Sequence, residues 1–129
     1  MPERHVTFLL PGDSARYTGG HIYDARVLAG LRARGWTIDE RPLPPGFPEP
    51  DAAARSASER ILASLPSGAL VLSDGYATST LPEALAAHGP RLRLAAFVHH
   101  PYAAEPGLDA GLWRRLVAAE RLALPRLTH

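Results

Sequence analysis

An alternation of strand-like and helix-like segments constrains this chain more than any other feature. Val6 to Leu10 is a short, mostly apolar run that stops at Pro11-Gly12, as a strand buried on both faces of a parallel sheet does. Gly20 to Arg34 then has helical spacing, with Tyr23, Val27, Leu28 and Leu31 on one side and Gly35 as its C-cap. Trp36 to Glu40 alternates apolar and polar residues and predicts a second strand. A proline-rich connection, Pro42 to Pro50, leads to Asp51, an N-cap for a helix carrying Ala54, Ser58, Ile61, Leu62 and Leu65.

The pattern repeats. Ala69 to Leu72 predicts a third strand ending at Ser73-Asp74-Gly75, and Thr80-Leu81-Pro82-Glu83 has the spacing of a capping box ahead of a helix that stops at Gly89-Pro90. Leu92 to Val98 predicts a fourth strand stopping at His99-His100-Pro101, and Asp109 to Leu124 a last helix with Leu112, Leu116 and Val117 as its apolar stripe. Such alternation means an α/β domain with a parallel sheet, doubly wound in the Rossmann-like manner. The expected strand order is 3-2-1-4. The 129 residues read as one domain, residues 1–129, and because no strand follows the last helix they read as incomplete at the C-terminal end.

Composition removes several functions. With 46% hydrophobic and 21% charged residues the chain has an ordinary globular balance, and it contains no cysteine, which excludes thiolate metal sites and thiol nucleophiles. All 14 basic residues are arginine, so a phosphate-loop lysine, a Schiff-base lysine and a lysine general base are excluded as well. A formal charge of +1 spread along the chain offers no footprint for nucleic acid or anionic lipid. No apolar run is long enough for a signal peptide or a membrane span, and the expected location is the cytoplasm.

In doubly wound sheets ligands bind beyond the carboxyl ends of the strands, where the strand order reverses. Three features fall at such ends: the loop from Gly12 to Gly20, Asp74-Gly75-Tyr76, and His99-His100. In the order 3-2-1-4 the first and fourth strands are neighbours, which sets Gly19-Gly20 against the histidine pair. Glycines opening a helix leave bare N–H groups at its positive end, suited to a phosphate or a sugar hydroxyl; alternatively they only make a tight turn. Adjacent histidines in extended chain point to opposite sides, so His99 and His100 do not share a metal, and no carboxylate cluster stands near them in sequence. No metal is expected. One imidazole faces the crevice as a catalytic or substrate-contacting group and the other packs or caps. Asp74, before a glycine, also fits ordinary turn chemistry, which is the favoured reading.

Val6-Thr7-Phe8-Leu9-Leu10, Thr18-Gly19-Gly20-His21-Ile22-Tyr23, the segment Leu28 to Ile38 and Ala96-Phe97-Val98-His99 together resemble the N-terminal domain of group 1 (family 4) glycosyltransferases, in order and spacing over nearly the whole chain. Trp36 stands where that family commonly has histidine. The resemblance implies a GT-B fold of two Rossmann-like domains facing a cleft. It also implies retaining transfer of a sugar from a nucleotide diphosphate sugar to an acceptor, with no cofactor and usually no metal. Gly19 and Gly20 would lie against the donor phosphate or the acceptor, His99 or His100 would contact the transferred sugar, and Tyr23 and Asp74 would line the substrate site. The family's C-terminal domain grips the nucleotide and supplies two glutamates eight residues apart; here Arg91 stands eight residues after Glu83, so this chain is expected to be the acceptor-side half, inactive by itself. The expected partners are the nucleotide-sugar donor, an acceptor and the second domain, with self-association through an exposed sheet edge. Two other readings stand beside it: a non-catalytic nucleotide- or sugar-binding module, and an interaction domain.

Overall fold

The computed structural model describes residues 4–11, 19–99 and 101–127, with backbone alone for residues 19–21. Its elements are β1 (His5–Leu10), α1 (Gly19–Ala33), β2 (Thr37–Pro42), α2 (Ala52–Ser64), β3 (Leu70–Asp74), the single-turn α3 (Gly75–Thr78), α4 (Pro82–His88), β4 (Arg93–Phe97) and α5 (Ala110–Ala123). The four strands form one sheet in which every pairing is parallel. The expected α/β class and element order are present.

The strand order differs from expectation. It is β2-β1-β3-β4, so β1 pairs with β2 and β3, and β4 pairs with β3. The expected order 3-2-1-4 would have put the second strand in the interior of the sheet. Asp39, Glu40 and Arg41 make β2 too polar for that position, and its residues are exposed or half-buried throughout. Interior strands of a parallel sheet are covered on both faces and read as near-continuous apolar runs, which β1 and β3 are. The reversal of strand order therefore lies between β1 and β3, not between β1 and β4.

Side-chain alternation divides the core. Leu9, Val71 and Leu94 face α2, α4 and α5, where they are buried with Leu62, Leu65, Leu81, Leu85 and Ala123. On the opposite face Phe8 meets Phe97, and Phe97 meets Tyr23 of α1, with ring centroids 6.3 and 5.4 Å apart. Leu43 and Phe47 fasten the proline-rich connection into the larger cluster.

The helix ends follow local chemistry. Gly35, at φ +86°, closes α1 in a Schellman arrangement: its N–H donates to Arg32 O and the N–H of Trp36 to Leu31 O. Asp51 and Asp109 cap α2 and α5 by accepting from the N–H groups of Ala54 and Leu112. The expected capping box at Thr80 does not form. Leu81 is the N-cap of α4, and the buried Thr80 hydroxyl donates instead to Ala77 O, because α3 ends immediately before it and needs an acceptor satisfied. Arg91 donates to the carbonyls of Leu62 and Leu65, closing the C-terminal end of α2. No helix among the described residues is long and apolar enough to cross a membrane.

Candidate functional site

Three chain segments meet where the strands end. β3 finishes at Asp74, which caps α3 by accepting the Tyr76 N–H at 2.9 Å. β4 finishes at Phe97, and His99 follows two residues later. Between them the backbones are in close contact: a Cβ added at Gly75 would lie 2.8 Å from Phe97 O, so only glycine lets the turn after β3 approach β4. From the other side α1 brings Asp24, one helical turn after Gly20.

His99 Nε2 lies 2.9 Å from Asp24 Oδ1 and 3.7 Å from Asp74 Oδ2. Asp24 and Asp74 are buried, 1% and 4% exposed, whereas the imidazole is part-exposed. Two aromatic rings flank it, Tyr23 edge-on at 5.0 Å and Phe97 stacked at 6.1 Å. Half of Tyr23 is open to solvent, so the imidazole and the phenol lie side by side at the surface. Beyond His99 the chain is pinned from α5. Buried Glu120 accepts from the N–H groups of Tyr102 and Ala103, the Tyr102 hydroxyl donates to Tyr76 O, and the Trp113 indole donates to Ala103 O.

Burial, and the Asp74 carboxylate beside it, push the Asp24 carboxyl far above the usual carboxylate range, to about 8. Its Oδ2 is buried and has no hydrogen-bond partner among the described residues. Asp24, Asp74 and His99 each offer one atom within 4.8 Å of the others, a spacing that a shared divalent cation also accepts. The sequence expectation of no metal rested on finding no carboxylates near His99; both lie far away in sequence and are delivered by the fold.

The expected site residues are distributed as follows. Tyr23, Asp74 and His99 come together. Asp74 acts both ways, one oxygen making the turn and the other facing His99. Gly19 and Gly20 open α1 and carry its first free N–H groups at the same end of the sheet. They do not adjoin β4 through neighbouring strands, since β3 intervenes. His100 and the loop Gly12 to Thr18 lie outside the described residues. Asp24 is the residue that sequence reasoning missed. Its signal was present: Asp24, Leu28 and Leu31 fall at i, i+4 and i+7, which places a carboxylate on the apolar side of α1.

Comparisons of the chain with protein-family models, with curated proteins and with solved structures return no match.

Proposed function

We propose that this domain is the acceptor-side wall of a glycosyltransferase of GT-B type, the whole protein transferring a sugar from a nucleotide diphosphate sugar to an acceptor with retention. The observation that carries the reading is the His99 imidazole at the end of β4, held against two buried carboxyl groups and flanked by the rings of Tyr23 and Phe97. Carboxyl and imidazole groups exchange hydrogen bonds with hydroxyls, and an exposed aromatic ring suits the apolar face of a pyranose. Among the described residues no arginine is paired with these carboxyl groups, which suits a neutral polyol better than a phosphate. The donor phosphates would fall instead to the N–H groups at the start of α1, where Gly19 and Gly20 let them approach.

In this reading a second domain, with the basic residues that grip the nucleotide, closes the other side of the cleft. Closure would exclude water and strengthen each hydrogen bond within it. His99 binds and orients the sugar. Residues 1–129 alone would bind a nucleotide sugar weakly and transfer nothing, because one wall holds few of the donor contacts. The edge strand β4 is where self-association would occur.

The runner-up is a binding module without catalysis. Ring signals of His99 and Tyr23, followed by NMR during titration with several nucleotide sugars and with free nucleoside diphosphates, test the site. Sugar-bearing ligands should move both rings, and the free diphosphates only the first turn of α1. Failure of every sugar to move either ring would remove the proposal. Micromolar binding by residues 1–129 alone, without transfer by the whole protein, would favour the module.

A further inference from the structure

The sugar site proposed above gives His99 a role but leaves open which ring nitrogen meets the ligand and what holds the ring still. Nε2 is engaged by Asp24 Oδ1 at 2.9 Å, and Nδ1 makes no hydrogen bond among the described residues. We propose that Asp24 is a positioning residue for His99: its Oδ1 accepts the Nε2–H, so that the imidazole presents a bare Nδ1 to a ligand hydroxyl as a hydrogen-bond acceptor. The inference rests on the sugar-site reading for its ligand, and on distances alone for its geometry.

Three observations favour this assignment over the reverse, in which Asp24 donates to Nε2. Asp24 is buried at 1% exposure with Oδ1 committed to His99 and Oδ2 without a partner, so any proton the carboxyl holds serves best on Oδ2. Asp74 stands next to it, with Oδ1 occupied by the Tyr76 N–H and Oδ2 directed to the cluster, ready to accept that proton. The raised pKa of Asp24, caused by burial and by Asp74, means that the proton is retained at neutral pH. In this arrangement Asp24 accepts at Oδ1 and offers the proton on Oδ2 towards Asp74, whose ligand atom lies within 4.8 Å of its own. The groups facing it are thus Asp74 from β3 and His99 after β4; Tyr23, next to it on α1, contributes ring packing against His99.

The arrangement separates two roles that a mobile histidine would mix. A ring free to turn would present N–H or a lone pair at random, whereas a ring fixed at Nε2 selects ligands that place a hydroxyl donor at Nδ1. Anions at that position are disfavoured, because the Nδ1 lone pair faces them. A neutral sugar hydroxyl fits.

The test is a nitrogen–proton correlation spectrum of the His99 ring in the wild type and in D24N and D24A. In the wild type the proton should reside on Nε2, with slowed exchange. D24N keeps an oxygen that can accept, so it should preserve that proton and the ring shifts caused by Tyr23 and Phe97; D24A should lose both. Sugar binding should then fall on the order of 10²-fold in D24A, as expected of a misplaced contact group, and stay near wild type in D24N. A wild-type ring protonated on Nδ1 would overturn the proposal, as would D24A with an unchanged ring. If D24A does not fold, the wild-type and D24N spectra still decide. A ring that behaves as expected but responds to no sugar would remove the sugar-site reading and leave the positioning intact.

Discussion

Asp24 Oδ1 and His99 Nε2 are 2.9 Å apart although 75 positions separate them in the chain. The contact joins the first helix to the end of the last strand, across the end of β3, where Asp74 completes the cluster. Every side chain in it sits at an element end or in a first helical turn or two. Such positions are free to serve ligands because the sheet beneath them supplies the packing.

Replacing His99 by Ala should lower sugar binding or transfer on the order of 10²-fold while changing the melting temperature little, because the imidazole is part-exposed and lies outside the core cluster. Activity per folded molecule measured alongside thermal denaturation checks this. A large drop in melting temperature with unchanged specific activity would show a packing role instead. The same assay on His100→Ala identifies which histidine serves the ligand.

Stability should fall as pH rises from near 4 to about 8. The Asp24 carboxyl has an ordinary pKa of 3.8 and is raised to about 8 in the fold. Above the ordinary value the unfolded chain releases this proton while the folded one keeps it, so the folded state binds more protons throughout that window. The contribution is complete below the ordinary value and is lost as pH climbs through the raised one. Urea denaturation of the wild type and D24N across the window should show a slope in the first that is flattened in the second.

Gly75→Ala should destabilise the fold by about 1–3 kcal/mol, since the new methyl meets the Phe97 carbonyl, and backbone cannot swing away as a flexible side chain would. The displaced end of β4 carries His99, so ligand binding should weaken together with stability. Chemical denaturation and sugar titration of this variant check both. Unchanged stability would mean that the β3 and β4 ends can separate without cost.

Treatment with a chelator should leave sugar binding unchanged at neutral pH. Asp24, Asp74 and His99 have the spacing of a cation site, but Asp24 keeps its proton there and Nε2 is already bonded, which leaves few free ligand atoms. Binding measured before and after chelation, then with added magnesium or manganese, is the check. Restoration by a metal would assign the cluster to that ion.

The sequence by itself determined the element types and most of their boundaries, because these are set within a few residues. The Asp51 and Asp109 caps, the turn at Gly35 and the apolar runs of β1 and β3 are local interactions that leave a mark in the adjacent letters. It also marked Asp74 and His99 by their positions at strand ends, and Tyr23 through the segment from Thr18 to Tyr23 that carries the family resemblance. Only the tertiary structure decided the strand order, since pairing is a competition among strands for the interior of the sheet and polar β2 was displaced to an edge. That outcome set β3 between β1 and β4 and so drew Asp24, Asp74 and His99 together. Their proximity is a long-range relation, recorded in sequence only as one carboxylate on the apolar side of α1.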